Sequence, residues 1–133
     1  MNYVSTRDKE LSVSAAKAIA TGIAPDGGLY CPTEIPQLTA EDIAALCKKD
    51  YRGRSADVLG RFLTDFSAEE LEQFAARAYA DEKFGGPDTA PLVKLEDGKY
   101  ILELWHGPTC AFKDMALQML PHLLTASLKK TGE

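Results

Sequence analysis

Glu103-Leu104-Trp105-His106-Gly107-Pro108-Thr109-Cys110-Ala111-Phe112-Lys113-Asp114 is the stretch on which the reading of the fold turns. It continues a strand-like run, Tyr100 to Trp105, turns through Gly107-Pro108 and leads into a helical pattern. That order of elements points to an α/β protein. The helix is expected from about Ala111 to Lys130, which puts Lys113 in its first turn. A lysine is out of place there, because the N-terminal end of the helix dipole favours acidic side chains. A neutral amine or a Schiff base is penalised less. A lysine amine attacks an aldehyde only when unprotonated, and a desolvated, electropositive setting promotes that state. Trp105 and Phe112 are the expected apolar surroundings. Taken singly, these residues have ordinary roles: a lysine is mostly solvated, His106 caps or packs, Cys110 is a small buried hydrophobe, and Phe112 belongs to the core.

Downstream, Phe112, Met115, Ala116, Met119, Leu120, Leu123 and Leu124 form one apolar stripe on the expected helix. Pro121 falls inside it and should bend it. Upstream, Leu92 to Leu95 and Tyr100 to Trp105 read as two strands joined at Asp97-Gly98, a dipeptide suited to a two-residue type I′ turn. Phe84-Gly85-Gly86-Pro87 is the best linker candidate and suggests two units, residues 1–83 and 84–133.

The first unit reads as mainly helical. A helix is expected over Ser12 to Thr21, stopped by Gly22, followed by a turn-rich stretch from Ala24 to Pro32. Thr39 is placed to cap a helix over Ala40 to Lys49, with Glu41 and Asp42 in its first turn. Another helix is expected over Ser55 to Leu63. Ser67-Ala68-Glu69-Glu70 is a capping box, after which Leu71, Phe74, Ala75 and Ala78 share one face.

Composition narrows the function classes. The 133 residues are 45% hydrophobic and 26% charged, ordinary for a globular protein, and the net charge of −5 argues against a nucleic-acid surface. The three cysteines, Cys31, Cys47 and Cys110, show no metal-binding spacing and read as reduced thiols. No run approaches the ~18–20 apolar residues of a membrane span. A cytoplasmic location, no membrane and no bound metal are the expectations.

The segment His106-Gly107-Pro108-Thr109-Cys110-Ala111-Phe112-Lys113-Asp114 resembles the HGPTxAFKD motif of the threonine synthase family. Tyr3 to Arg7, Gly22 to Tyr30 and Ile101 to Trp105 resemble the family's N-terminal region in the same order. Cys110 stands where family members often carry an aliphatic residue. The resemblance implies a fold-type II pyridoxal-phosphate enzyme that converts O-phospho-L-homoserine and water to L-threonine and phosphate. It implies that Lys113 carries pyridoxal 5′-phosphate as a Schiff base, with Phe112 packing near the cofactor and the Ala24 to Tyr30 loop shaping the substrate side. On that basis the chain should hold the N-terminal helical domain plus the first hairpin and helix of the cofactor domain. No Gly-rich phosphate cradle follows Lys113, so the chain is expected to be a fragment, inactive alone, whose last helix exposes an apolar stripe prone to self-association. Two other readings stay open: a different fold-type II enzyme, such as a dehydratase or β-replacement synthase, and a non-catalytic module docking through the acidic half from Thr39 to Asp81.

Overall fold

The structure, a computed structural model, describes residues 1–133. The chain begins with a small antiparallel sheet in which β1 (Asn2–Ser5) is flanked by β2 (Ser12–Ser14) and β3 (Tyr30–Pro32). Tyr3 faces Val13 on one side and Pro32 on the other. This sheet was not expected. Ser12-Val13-Ser14, read as the start of a helix, is a strand. Pairing with β1 holds it extended until the Ser14 side chain accepts from Lys17 N and starts α1 (Ala15–Thr21).

The helical layer follows. α2 (Ala40–Leu46) opens on Thr39, which forms a reciprocal capping box with Asp42. α3 (Tyr51–Phe62) starts earlier than the periodicity suggested, because the Asp50 carboxylate caps it by accepting from Gly53 N at 2.8 Å. α4 (Ala68–Ala78) opens on the Ser67/Glu70 capping box and buries Leu71, Ala75 and Ala78. Phe74, on the same face, is half-buried between Phe66 and the His122 ring. α5 (Asp81–Phe84) is a single turn, yet Phe84 is only 2% exposed and packs against Tyr79. The expected linker therefore begins with a core residue.

β4 (Leu92–Glu96) and β5 (Lys99–Leu102) form the expected hairpin about Asp97-Gly98, but only Gly98, at φ 77°, takes positive φ, so the turn is not the expected type I′, which needs it at both central residues. Its second strand ends at Leu102 rather than Trp105, although Glu103 N still donates to Pro91 O at 2.9 Å. Every residue of both strands is exposed.

The last expected helix is broken in two: α6 (Asp114–Leu117) and α7 (Leu120–Thr131), separated at Gln118-Met119. Pro121 stands in the first turn of α7 instead of bending a longer helix. The missing N–H is free of penalty there, since first-turn amides have no intrahelical acceptor. α7 lies on α1, whose small buried residues Ala15, Ala16 and Ala18 permit close approach. Met119 and Leu123 thus join Leu71, Phe66 and Phe84 in one core. Of the predicted stripe, Met119 and Leu123 are buried while Phe112, Ala116 and Leu120 remain exposed.

Candidate functional site

Beyond β5 the chain runs irregularly through Trp105 and His106, then folds on itself between Gly107 and Asp114. The loop is organised around the Asp114 carboxylate, which is 1% exposed. Its Oδ2 accepts from the Thr109 N–H at 2.8 Å and from the Thr109 hydroxyl at 2.9 Å. Gly107 lies directly against it: a Cβ there would sit 2.4 Å from the Asp114 Cβ, closer than real contacts allow. Backbone bonds from Cys110 N to Gly107 O and from Asp114 N to Ala111 O, both 3.0 Å, complete the turn. Cys110 takes φ 56°, a left-handed conformation uncommon outside glycine. Burial raises the Asp114 carboxyl, but the two Thr109 donors, with the Ala111 N–H and the Gln118 side chain, together outweigh it and hold the group below the ordinary carboxylate range.

Lys113 stands at the position preceding α6, in right-handed helical backbone, and not inside the first turn of a long helix. A helix of four residues has little dipole, so a cation beside α6 is not out of place. The expected apolar shelter is absent as well: Lys113 is exposed, Phe112 is 73% exposed and Trp105 50% exposed. Both aromatic side chains lie at the surface because no element of the chain covers this side of the loop. Cys110, read as a small buried group, is also exposed. The Lys113 ammonium joins none of the eight ion pairs of the molecule. Its carbonyl accepts from Ala116 N at 3.1 Å and Leu117 N at 2.9 Å, so the backbone is held while the side chain is free.

Of the two roles expected for His106, it packs rather than caps. Its Nε2 lies 2.7 Å from Glu103 Oε2, and its ring stacks on Trp105 with centroids 5.7 Å apart. The Phe112 ring borders a small apolar groove with Leu102, Leu104, Met115, Ala90 and Tyr51. A larger apolar groove of 530 Å³ runs alongside between α3 and α6–α7. Tyr79 anchors this side by donating to Met115 O at 2.8 Å.

The Ala24 to Tyr30 loop lies on the first sheet rather than beside Lys113. Ser5 donates to both Asp26 oxygens, at 2.8 and 2.7 Å, and Gly28 N donates to Asp26 Oδ1 at 2.8 Å. Leu29 N donates to Thr6 Oγ1 at 3.0 Å, and the Arg7 guanidinium donates to Asp26 O at 3.2 Å. The Ser5 hydroxyl, followed by the Gly28 N–H, holds the Asp26 carboxyl below its usual range. Two of the sequence blocks singled out, Tyr3 to Arg7 and Gly22 to Tyr30, are thus the two halves of one knot. The Thr109–Asp114 clamp escaped the sequence reading because a five-residue spacing matches no capping pattern. The one hint was a glycine preceding Pro108.

Residues 2–79 match the family model for the threonine synthase N terminus. The chain is 39% identical over 140 residues to threonine synthase from Methylobacillus glycogenes, covering 100% of this chain and 30% of the relative. It is 41% identical over 135 residues to threonine synthase from Schizosaccharomyces pombe, covering 99% and 26% respectively. Among solved structures it superposes on a pyridoxal-phosphate-bound threonine synthase from Brucella melitensis with a TM-score of 0.90 and 40% identity, covering 100% of this chain and 28% of that one. The chain spans less than a third of the length of the relatives it matches. By family match, sequence identity and shared fold, it belongs to the threonine synthase family.

Proposed function

We propose that these residues form the part of a threonine synthase that supplies its cofactor lysine, Lys113. The protein containing them converts O-phospho-L-homoserine and water to L-threonine and phosphate. Residues 1–83 are the N-terminal domain in this reading, and residues 84–133 begin the catalytic one. The observation that carries it is an exposed Lys113, free of any ion pair, on a backbone held from both sides, within the motif of a chain that belongs to this family. An amine without a carboxylate partner suits the covalent anchoring of an aldehyde cofactor such as pyridoxal 5′-phosphate. When bound, that cofactor supplies an electron sink for proton removal at substrate carbons.

Lys113 then has two tasks. Its Nζ holds the cofactor until the substrate amine displaces it, and the freed amine carries protons between substrate carbons. In this reading Phe112, exposed beside Leu102, Leu104 and Met115, gives the cofactor an apolar contact. The phosphate of the cofactor needs several backbone N–H groups aimed at one point. Around Lys113 no Gly-rich cradle of that kind forms, since Thr109 N is already committed to Asp114 and the space beside Gly107 is filled by the Asp114 side chain. The 133 residues alone are therefore inactive in this reading.

The open apolar groove and the exposed Leu117 and Leu120 favour self-association of the isolated chain, at 44% and 45% exposure respectively. A cytoplasmic enzyme acting on a small molecule is consistent with the absence of any helix long and apolar enough to cross a membrane.

The test loads the full-length protein with pyridoxal phosphate, reduces it with borohydride and maps the modified residue by mass spectrometry. A label on Lys113 is expected. A label on any other lysine, or none, overturns the assignment. Turnover of O-phospho-L-homoserine by the isolated 133-residue chain refutes its inactivity.

A further inference from the structure

We propose that Asp114 and Thr109 together are a positioning clamp for Lys113, holding its Cα and the root of its side chain where the cofactor aldehyde must arrive. This rests on Lys113 being the cofactor lysine. Four observations converge on it. First, consecutive residues have opposite surroundings, with Lys113 exposed and Asp114 1% exposed, so fixing Asp114 fixes the Cα beside it. Second, both donors of Thr109 converge on the single atom Oδ2, at 2.8 and 2.9 Å. Two bonds to one carboxylate oxygen restrain both the backbone and the side chain of Thr109. Third, Gly107 packs against the Asp114 side chain so closely that no other residue fits without a shift of the loop. Fourth, α6 is too short to supply rigidity of its own, four residues being barely one turn. What holds Lys113 from the front is thus the clamp, and what holds it from behind are the amides of Ala116 and Leu117 on its carbonyl.

An acid in the first turn of a helix has an ordinary explanation, stabilisation by the helix end. That role is satisfied by any carboxylate pointing at solvent. It needs neither burial of the carboxylate nor two donors from a residue five positions back. The lowered titration of Asp114 agrees with an ionised acceptor, to which both Thr109 bonds are stronger than to a neutral carboxyl.

Clamp variants are made in the full-length protein: Thr109→Ser, Thr109→Val, Asp114→Asn and Asp114→Ala. Each is incubated with pyridoxal phosphate, the visible absorbance of the lysine-bound cofactor is followed, and borohydride-trapped product is mapped by peptide. Thr109→Ser keeps both donors and should load Lys113 at the parent rate with the parent spectrum. Thr109→Val keeps the N–H and loses the hydroxyl, and should load ~10-fold more slowly; Asp114→Ala should lose ~100-fold and spread label onto other lysines, the range expected when a reacting group is misplaced by about an ångström. Asp114→Asn, neutral but similar in shape, should fall between them.

Circular dichroism establishes that each variant is folded. If Asp114→Ala does not fold, the Thr109→Ser and Thr109→Val pair decides by itself. Equal loading rates, spectra and label positions in parent and Thr109→Val overturn the clamp while leaving Lys113 as the cofactor lysine. Label on a different lysine in the parent protein overturns both readings.

Discussion

Replacing Gly28 by alanine tests whether the Ser5–Asp26 knot holds the first sheet to the loop that follows α1. A Cβ on Gly28 would lie 2.1 Å from Ser5 Oγ, 3.0 Å from Asp26 Oδ1 and 3.1 Å from Thr6 Oγ1. The first of these is more than 1 Å short of the 3.4 Å at which ordinary contact begins. Ser5 is 1% exposed and its hydroxyl is bound to Asp26, so the oxygen has no open rotamer into which to retreat. The loop must move away, which stretches the bonds from Gly28 N to Asp26 and from Leu29 N to Thr6. Overpacking of this kind costs about 1–3 kcal/mol. For a chain of this length each kcal/mol lowers Tm by about 3–5 °C, so a drop of ~3–15 °C is expected. Thermal unfolding followed by circular dichroism measures the shift in Tm, and urea unfolding measures the loss of stability. Hydrogen exchange should show the Leu29 amide losing protection. The double variant Ser5→Ala/Gly28→Ala removes the clashing oxygen, so the two losses should fall short of additivity. A Gly28→Ala protein as stable as its parent, or a strictly additive double variant, would refute the reasoning.

Two further perturbations probe other parts of the molecule. The Asp42 carboxyl is held down at about 2, first by the Thr39 N–H and then by Arg61 and the Thr39 hydroxyl, against an ordinary 3.8. A folded value below the unfolded one adds stability above pH 4 that disappears as pH falls through 2. The stability difference between the parent and Asp42→Asn should therefore shrink over that window, and a difference independent of pH counts against the Thr39–Asp42–Arg61 cluster. Burial, followed by the neighbouring Tyr51, pushes the Tyr79 phenol up to about 12. Tyr79→Phe leaves Met115 O without its donor and should cost about 1–3 kcal/mol, measured by urea unfolding. In the parent, one of the five tyrosines should resist ionisation in an ultraviolet titration up to pH 11, and the stability it contributes is lost as pH rises from 10 through 12.

Local chemistry was legible wherever a short run of residues decides its own conformation. The Thr39 and Ser67 caps, the Asp97-Gly98 turn and the apolar face of α4 all lie where the residue pattern placed them. Each is made by partners within a few residues, so spacing is sufficient information. The motif around Lys113 was legible for another reason: it resembles a family, and the similarity to threonine synthases extends over the whole chain. The local physics that made Lys113 an out-of-place cation does not hold, because α6 has only four residues and the shelter expected from Trp105 and Phe112 is not there.

The tertiary structure decided what depends on residues distant in sequence. Ser12-Val13-Ser14 is a strand because β1 pairs with it, a partner its own periodicity does not reveal. The last helix breaks before Leu120 as Met119 and Leu123 turn into the core over α1, and Pro121 takes the one helical site where it does no harm. The same folding buries Asp114 beneath Gly107 and leaves Lys113 outside. Residue order alone thus pointed to the lysine. How firmly its backbone is held, and by which oxygen, is set by contacts across the Gly107 to Asp114 loop, where burial and two converging donors outweigh local propensity.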